Sequence, residues 1–575
     1  MPERINIIPL GGVGEIGRNM TVIEYAGKLI AIDCGLMFPE RDMLGIDLVI
    51  PDFTFLRERR DDFLALFVTH GHEDHIGAIA YLLRDLQGTP PAPGGPDEAE
   101  TPAPTPYRVP VYATPLTRGL IEVKLKEHKL LRDADLHTIA QDSRVTLGPF
   151  AVEAFPVSHS IPDAVGYAIT TAAGLVVHTG EYKFDYTPRH GRPTDVQKLA
   201  EFGARGVLAL LSDSTNADRP GHTPSEEAVN ETFDRIFATA EGRVIVATFA
   251  SNISRVQQVI DAAYRHGRDV GVVGRSMQDN TAMARELGYL TVPQGRLLRV
   301  DELDRLADDR VAIVCTGSQG EPTSALTRIA NGEHRQMRIK PGDTVVLSAT
   351  PIPGNEEMVY RTINNLFRLG ARVFYQSAPL PGGAVGLVHV SGHAAREEQK
   401  LMLSLTRPMY FVPIQGEYRH LVMHAELGEA LGVPAERIFI LENGEVLALG
   451  EEGGEIIDEV PAVNVFVDGL GIGDIGQVVL RDRHHLAKDG FLVAIAVLDE
   501  SGELVDTELV SRGFVYRPDA EELLDEARQV VIEAIGGQSH RIPEGVEEMI
   551  KATLGEFVYG RTGRRPMILP VVMRV

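Results

Sequence analysis

Residues 67–78, FVTHGHEDHIGA, place three histidines and two acidic residues within six positions, directly after an apolar run. A strand that ends in a turn lets such side chains converge from a single loop. Neutral imidazoles and carboxylates are ligands for zinc, manganese and iron. A lone histidine is more often an ordinary core or surface residue, but four ligand-type side chains at this spacing predict a metal site. These candidate ligands are His70, His72, Asp74 and His75.

Two further candidate ligands stand behind other apolar runs. His159 follows VEAFPV, and Glu181 follows GLVV after a short gap. Each is a weak signal by itself, because single polar residues after strands are common. One loop rarely completes a two-metal site, so we expect ligands from other strand ends to join the first group. In this order along the chain, the whole set predicts a two-metal centre.

Composition limits the classes of protein to which the chain can belong. It has 575 residues, of which 44% are hydrophobic and 24% charged, ordinary values for a globular protein of roughly three to five domains. The formal net charge of −25 repels nucleic acid at long range. A nucleic-acid partner would therefore need local basic patches or bound metal.

The compartment is predicted from what the sequence lacks. Two cysteines, Cys34 and Cys315, are too few for a disulfide framework and are typical of a reducing cytosol. The residues after Met1 do not resemble a signal peptide, and no apolar run approaches the roughly 18 residues of a membrane span. We therefore predict a cytoplasmic protein without a membrane partner.

Alternating strands and turns organise the first part of the chain. Residues 12–17, GVGEIG, match the dinucleotide pattern GxGxxG, but β-branched alternation follows instead of the required helix. A tight glycine turn between strands is the better interpretation. Residues 88–106 contain seven prolines and almost no bulky apolar residues, which predicts a flexible surface insertion.

From about residue 213 the pattern becomes regular. RVIVATFASNISRVQQVIDAAYRHG reads as a strand, a polar loop and a helix, and two later segments repeat this plan. Apolar strands that alternate with amphipathic helices predict a parallel sheet covered by helices. After about residue 460 the sequence pattern changes to short strands and acidic helices, which predicts a separate C-terminal domain.

The motifs together resemble a known family. HxHxDH, a lone histidine and the acid in HTGEYKFD are similar to the metallo-β-lactamase fold. LSDSTNA, VSGHAAREE and PIQGEYRH resemble the additional motifs of the β-CASP nucleases, among them the bacterial ribonuclease J family. The resemblance implies an α/β architecture: a metallo-β-lactamase αββα sandwich with an inserted β-CASP parallel α/β domain and a small α+β C-terminal domain.

The resemblance also implies domain boundaries. The metallo-β-lactamase core would comprise residues 1–212 and 379–450, with the β-CASP domain at 213–378. A linker at 451–465 would lead to the C-terminal domain at 466–575.

The resemblance assigns roles to the candidate ligands. His70, His72 and His159 would hold the first metal, Asp74 and His75 the second, and Glu181 would bridge both, with zinc or manganese as the metals. Asp74 and Asp213 would belong to the catalytic set, with Asp213 orienting the site. His393 would contact the scissile phosphate and donate a proton.

Two positions depart from the family pattern. Residue 181 is Glu where the family usually has Asp, and residue 415 is Gln where it has a histidine ligand. A neutral amide is a poor ligand for zinc, so Gln415 predicts a weak second site. A catalytically weakened or non-catalytic subunit therefore stays open as an alternative. A small-molecule metallo-hydrolase is a further alternative, but it leaves the βα insertion and His393 unexplained.

Two loops that open helices are expected to contact RNA, because free backbone N–H groups at helix starts bind phosphate. An ordinary helix cap is the competing interpretation. The expected RNA-binding residues are Ser251, Asn252, Ile253, His389, Val390, Ser391, Gly392 and His393.

A structural calcium ion is also implied by some relatives, with Asp47, Asp468 and the Gly45 carbonyl as ligands. Carboxylate and carbonyl oxygens suit a hard cation, although solvated aspartates are an equal alternative.

The function implied by the resemblance is 5′-to-3′ exonuclease and endonuclease activity on single-stranded RNA, in messenger decay and ribosomal RNA processing. A 5′-monophosphate would be preferred. Partners would include a second copy of the chain, as homodimer or homotetramer, and the RNA-degradation machinery.

Overall fold

The computed structural model describes residues 4–40, 42–87, 107–321, 323–352, 355–376, 385–469, 471–515, 517–536 and 545–575. The proline-rich segment 88–106, expected to be a surface insertion, lies outside these ranges. The chain divides into two compact units. The first comprises Met1–Phe38 and Val49–Val465, and the second comprises Pro39–Leu48 and Phe466–Val575.

Two sheets face each other in the first unit and enclose an apolar core. The larger sheet has eight strands and the smaller six. Their inward-facing side chains, such as Ile23, Phe67 and Tyr167, are fully or almost fully buried. In order across the sheet, the larger one contains Gly453–Glu459, Glu445–Gly450, Ile5–Gly11, Met20–Tyr25, Lys28–Ile32, Phe63–Phe67, Pro110–Ala113 and Asp135–Thr138. The smaller contains Tyr410–Ile414, Val207–Asp213, Gly174–His178, Val165–Thr171, Phe150–Pro156 and Arg144–Leu147.

Helices cover the outer faces of both sheets, so the expected αββα sandwich is confirmed. The amphipathic helix Val196–Arg205 turns Leu199 and Phe202 inward, because these residues lie on one face of the helix. The helices of this part are Thr54–Glu58, Glu73–Ile76, Ile79–Gln87, Pro115–Glu127, Val196–Arg205, Arg396–Thr406 and Tyr418–Ala430. Short 3₁₀ turns lie at Arg60–Asp62 and Ala435–Arg437, and the remaining short strands are Val13–Gly14, Leu48–Ile50 and Gly416–Glu417.

A parallel six-stranded sheet is inserted between the two halves of the sandwich. Its central strands are continuous apolar runs, as expected for a sheet buried on both faces. In order, its strands are Leu297–Leu298, Asp269–Val273, Val311–Cys315, Val244–Ala247, Thr344–Leu347 and Arg372–Tyr375. Its helices are Glu227–Thr239, Ile253–Arg265, Arg275–Glu286, Val300–Leu303, Ala325–Ala330 and Glu356–Arg368, with a 3₁₀ turn at Asp308–Arg310. This confirms the predicted βα insertion.

The expected linker at 451–465 needs a correction. Gly453–Glu459 pairs with Glu445–Gly450 and forms an edge strand of the large sheet. Its residues are mostly exposed, so no apolar run marks it in the sequence. Backbone hydrogen bonding alone can hold an edge strand, and its charged side chains protect that edge from further pairing.

The second unit contains a small three-stranded sheet with helices, as expected for an α+β domain. Phe491–Leu498 pairs with both Leu504–Arg512 and Met567–Arg574. Leu492, Ala494 and Ala496 point into a core that the long helices share. The helices are Gln477–Asp489, Arg517–Gly536 and Val546–Thr562, and the hairpin strands are Val465–Asp468 and Gly471–Ile472.

Two sequence observations have a structural outcome. Residues 12–17 connect the antiparallel strands Ile5–Gly11 and Met20–Tyr25 without a helix, which agrees with rejection of the dinucleotide pattern. They do not form a tight turn, because Val13–Gly14 is itself a short strand that pairs with Gly416–Glu417. None of the helices in the described part of the chain combines the length and the apolar composition that crossing a bilayer requires.

Candidate metal centre

Three imidazoles and one carboxylate converge at one end of the sandwich. His72 Nδ1 lies 3.0 Å from His70 Nε2 and 3.2 Å from His159 Nε2. Glu181 Oε2 lies 3.4 Å from His70 Nε2 and 3.1 Å from His159 Nε2. Four nitrogen and oxygen donors at such short mutual distances match the donor set of a zinc site.

A second group shares the carboxylate of Glu181. Its Oε1 atom lies 2.9 Å from His75 Nε2, and Asp74 Oδ2 lies 3.7 Å from the same nitrogen. Asp74, His75 and Glu181 thus offer one imidazole and two carboxylates to a second ion. The two groups together bring the six predicted histidine, aspartate and glutamate ligands into one cluster, without Gln415.

Strand ends position these ligands. The buried strand Phe63–Phe67 delivers the loop that carries His70, and His72 stands at the start of the short helix Glu73–Ile76. Glu181 lies shortly after strand Gly174–His178 in the facing sheet. Because apolar strands end where the core ends, polar side chains that follow them meet at the same edge.

Hydrogen bonds hold the imidazoles with their ligand atoms turned inward. His75 Nδ1 lies 2.7 Å from Asp33 Oδ2, and His159 Nδ1 lies 2.9 Å from the Gly392 carbonyl oxygen. His70 Nδ1 lies 3.0 Å from Thr69 Oγ1. Each partner leaves Nε2 of its imidazole facing the cluster, the arrangement that metal-ligating histidines require.

The electrostatics of the cluster suit a cation. Burial, and next the nearby His75, lower the pKa of His70 to about 3, so this imidazole is neutral. Burial opposes ionisation of Glu181, but His75 and His393 outweigh it and hold the pKa of that carboxyl well below its usual range. A neutral imidazole such as His70 and an ionised carboxylate such as Glu181 are the states that metal coordination needs. Burial lowers the pKa of His75, but Glu181, Asp33 and Asp74 outweigh it and raise this pKa, so this imidazole must release a proton when a metal binds.

His393 stands beside the cluster, oriented by an acid. Its Nδ1 atom lies 2.8 Å from Asp213 Oδ2, and its Nε2 atom lies 3.9 Å from Glu181 Oε2. Burial lowers the pKa of His393, but Asp213 and Glu181 outweigh it and raise this pKa to about 9. Thr215 donates to Asp213 Oδ1 through both its amide and its hydroxyl, which fixes the carboxylate.

The loop at 389–393 lies directly against the metal ligands. A Cβ atom on Gly392 would lie 2.5 Å from the His159 ring, so only glycine fits there. Ser391 Oγ accepts from Asn216 Nδ2 and from the His393 amide. His389 Nδ1 is buried without a hydrogen-bond partner in the described part of the chain, and the side chain of Val390 is buried.

The loop at 251–253 is only partly free for a ligand. Asn252 Oδ1 accepts from the Arg255 amide and caps helix Ile253–Arg265, as the competing interpretation held. Ile253 is 0% exposed and its amide donates to the Ser251 carbonyl. Neither the side chain nor the N–H of Ile253 is free in this structure, and its contact with RNA stays a prediction.

Gln415 lies at the end of strand Tyr410–Ile414 with its backbone in the left-handed region, at φ 55°. It is 5% exposed, and its Oε1 atom has no hydrogen-bond partner among the described residues. The side chain lines a small cavity with Asn19, Asp33 and His178. A buried oxygen without a partner can accept a bond from a water or a cation, so its role as a weak ligand stays a prediction.

The expected calcium ligands meet an arginine in the second unit. Arg483 Nη2 lies 2.6 Å from Asp468 Oδ2, and Arg483 Nη1 donates to the Leu44 carbonyl. Asp47 Oδ2 accepts from the Gly469 amide, and a Cβ atom on Gly45 would lie 2.6 Å from Arg483 Nη1. The guanidinium already supplies positive charge here, so these residues do not favour calcium, which stays an untested prediction.

Two residues at the cluster were missed from sequence. Asp33 orients His75, and Asn19 Nδ2 lies 3.1 Å from His75 Nε2 while donating to the Asp74 carbonyl. Asp33 follows strand Lys28–Ile32 as His159 follows its own strand, so the signal of an acid at a strand end was available. Asn19 offered no such signal.

Family descriptions match most of the chain. "Beta-lactamase superfamily domain" matches residues 30–240, and "Ribonuclease J, beta-CASP domain" matches 241–366. "Zn-dependent metallo-hydrolase RNA specificity domain" matches 385–440, and "Ribonuclease J C-terminal domain" matches 478–575. Fold and site together define a metal-dependent hydrolase of the β-CASP nuclease type.

Relatives of known name are similar over their whole length. Ribonuclease J 1 of Streptococcus pyogenes is 42% identical, over 100% of this chain and 98% of the relative. Ribonuclease J2 of Bacillus subtilis is 42% identical over 100% and 99%, and Ribonuclease J of Thermus thermophilus is 45% identical over 99% and 95%. The chain belongs to the ribonuclease J family, which confirms the resemblance drawn from its motifs.

A solved structure agrees at the level of fold. A crystal structure of a protein of unknown function from Enterococcus faecalis has a TM-score of 0.51 at 15% identity, covering 78% of this chain and 100% of that one.

Proposed function

We propose that this chain hydrolyses single-stranded RNA with two divalent metal ions, zinc or manganese, as both a 5′-to-3′ exonuclease and an endonuclease. The observation that carries the proposal is the sharing of Glu181 between two ligand groups, His70, His72 and His159 on one side and Asp74 and His75 on the other. Two divalent ions in such a site supply Lewis-acid activation of water and charge for the phosphate oxygens.

The residues of the chain have separate tasks in this reaction. A 5′-to-3′ enzyme that prefers a 5′-monophosphate must regenerate that end at each step. The bond that breaks therefore joins phosphorus to the 3′-oxygen of the upstream nucleotide, and water adds its oxygen to phosphorus. His393, held by Asp213 at 2.8 Å, gives a proton to the departing 3′-oxygen.

RNA is proposed to lie between the sandwich and the β-CASP insertion. Ser251 is partly exposed at the start of helix Ile253–Arg265, and its hydroxyl can donate to a phosphate oxygen. His389 Nδ1 has no hydrogen-bond partner among the described residues, and the 389–393 loop leads from there to His393. These local contacts and the metals would overcome the unfavourable net charge of −25.

Substitution of His72 tests the metal mechanism. His72→Ala should lower metal content per chain and reduce cleavage of a 5′-monophosphorylated RNA by more than about 100-fold. His137→Ala is the matched control, because His137 is a half-exposed histidine on strand Asp135–Thr138 of the eight-stranded sheet. This variant should change neither quantity. Unchanged turnover in the His72 variant, with folding intact, would refute the proposal.

Substrate ends separate the two proposed activities. Linear RNA with a 5′-monophosphate should be shortened from its 5′ end faster than the same RNA with a 5′-triphosphate. Circular RNA offers no end, so its cleavage reports the endonuclease alone. These activities would place the chain in messenger decay and ribosomal RNA processing in the cytoplasm, together with the RNA-degradation machinery.

A weakened or non-catalytic subunit is the second candidate, and Gln415 is the observation that favours it. Its Oε1 atom is a poorer ligand than an imidazole, so the second ion would bind less tightly than the first. A small-molecule metallo-hydrolase is a lesser alternative. Metal per chain, measured beside RNA cleavage, decides between an active and an inactive subunit.

Self-association as a homodimer or homotetramer is proposed to involve the C-terminal domain. Strand Met567–Arg574 places Leu569, Val571 and Met573 on one face, and these side chains are 43%, 41% and 49% exposed. Alternate apolar residues exposed on a strand favour burial against a partner.

A further inference from the structure

Glu398 is a buried carboxylate that joins three separate segments of the first unit. Its side chain is 1% exposed. Oε1 accepts from the Phe184 amide at 2.8 Å, and Oε2 accepts from the Thr223 amide at 2.7 Å and the Ala395 amide at 2.9 Å. A carboxylate bonded to three amides in a buried setting is held firmly, because three donors converge on its two oxygens.

Each of the three segments leads to the metal centre. Phe184 lies three residues after Glu181, the carboxylate shared by the two ligand groups. Ala395 lies two residues after His393. Thr223 Oγ1 donates to the His393 carbonyl at 2.7 Å, and Asn216 Nδ2 donates to the same oxygen at 3.0 Å.

These bonds connect the backbone around His393 to the segment that carries Glu181. Asp213 fixes the rotation of the His393 ring, but the position of its backbone depends on the bonds to its carbonyl and to the next turn. Glu398 ties that backbone to the segment that carries Glu181. In this arrangement His393 Nε2 lies 3.9 Å from Glu181 Oε2.

We propose that Glu398 is a positioning residue for RNA cleavage, one that fixes where His393 stands relative to the metal centre. This inference rests on the proposed function and on the proton transfer from His393. It assigns Glu398 an effect on the chemical step and none on metal binding or RNA affinity.

A simple helix cap is the competing explanation. Glu398 is the third residue of helix Arg396–Thr406, and its bond to the Ala395 amide is half of a capping box. A cap accounts for one of the three amides only. The amides of Phe184 and Thr223 belong to distant segments, so the carboxylate does more than cap the start of its helix.

The test uses the leaving group to separate positioning from stability. In one RNA the 3′-oxygen at the scissile bond is replaced by sulfur, and a thiolate leaves without a proton. Glu398→Gln should reduce single-turnover cleavage of ordinary RNA by about 100-fold. It should leave cleavage of the sulfur-bridged RNA, RNA affinity and metal per chain nearly unchanged.

Glu397→Gln is the matched control. Glu397 is the preceding residue of the same helix, its side chain is exposed, and its carboxylate pairs with Lys400 on the surface. This variant should cleave both RNAs as the unmodified chain does.

Reference variants make every outcome decisive. His393→Ala should slow ordinary RNA and spare the sulfur-bridged RNA. If it does so while Glu398→Gln slows both RNAs equally or neither, the inference on Glu398 is overturned and the proposed function stands. If His393→Ala itself slows both equally, the proton transfer and the inference fall together.

A second variant covers the case in which Glu398→Gln does not fold. Thr223→Val removes the hydroxyl bonded to the His393 carbonyl without changing side-chain size and leaves Glu398 intact. It should produce a smaller loss with the same preference for the sulfur-bridged RNA. Equal loss on both RNAs would then overturn the inference.

Discussion

Asp33 Oδ2 lies 2.7 Å from His75 Nδ1, and Nε2 of the same ring lies 2.9 Å from Glu181 Oε1. The imidazole is thus held between an orienting carboxylate and the carboxylate shared by both ligand groups. Thr69 in turn fixes Asp33 through its amide and its hydroxyl. The second metal group therefore depends on a residue that is not itself a ligand.

Asp33→Asn should weaken the second metal site selectively. The amide removes the charge that polarises His75, and such changes behind a ligand lower metal affinity by about 10–100-fold. Metal titration by calorimetry, with metal per chain measured after dialysis, should show one site emptied first. Asp142→Asn, at an exposed surface aspartate, is the control. Equal weakening of both sites would contradict the assignment of His75 to the second ion.

Gln415→His should strengthen the second metal site. An imidazole is a better ligand for zinc than an amide oxygen, so occupancy of the second site and the rate of RNA cleavage should both rise. The gain should be larger with zinc than with manganese, which accepts oxygen ligands. Gln197→His, on a surface helix, controls for an added histidine. Equal occupancy and equal rates would mean that residue 415 does not reach the ion.

The buried carboxyl of Asp163 should make the free energy of unfolding depend on pH. Burial raises its pKa from 3.8 to about 6, although the Leu116 amide and the Tyr289 hydroxyl donate to its carboxylate and oppose the shift. A folded-state pKa above the unfolded value gives stability that is complete at low pH and is lost as pH rises through the folded value. At neutral pH the ionised Asp163 carboxylate therefore destabilises the folded state.

Asp163→Asn removes this ionisation, and asparagine tolerates the left-handed backbone at this position, where φ is 57°. Between pH 5 and pH 8 the unfolding free energy of the variant should gain about 1–2 kcal/mol on that of the unmodified chain. Urea denaturation at a series of pH values measures the difference. Parallel pH profiles for the two proteins would show that Asp163 ionises normally.

Adding charge to the exposed apolar face of strand Met567–Arg574 should weaken self-association. Leu569→Glu combined with Val571→Glu should lower the oligomeric state measured by light scattering, because burying these carboxylates against a partner is costly. Val505→Glu, on the other edge strand and 60% exposed, is the control. If only the control variant dissociates, the contact lies on the opposite edge.

The cluster of candidate metal ligands on the first loop could be predicted from sequence because its geometry is local. His70, His72, Asp74 and His75 follow one buried strand, and a turn of a few residues can bring their side chains together. The βα alternation was equally visible, since repeated apolar strands and amphipathic helices carry the parallel sheet. The edge strand Gly453–Glu459 was not, because an exposed strand needs no apolar face.

Family resemblance located residues that spacing could not. Asp213 and His393 are 180 positions apart and 2.8 Å from each other, and only their motifs linked them in the sequence. Two predictions drawn from the resemblance stay untested. The structure buries Ile253 of the expected RNA-binding loop, and it places Arg483 against Asp468, the expected calcium ligand.

The sequence by itself determined the chemical types at the site and their order along the chain. Only the tertiary structure decided which of them meet, which imidazole nitrogen faces the cluster, that Asp33 holds His75, and that Glu398 accepts from amides of three segments near the cluster. The physical reason is that loop spacing follows from the backbone alone, whereas contacts between distant segments depend on how the sheets pack. The structural role of a buried carboxylate such as Glu398 depends on the three amides that packing brings to it.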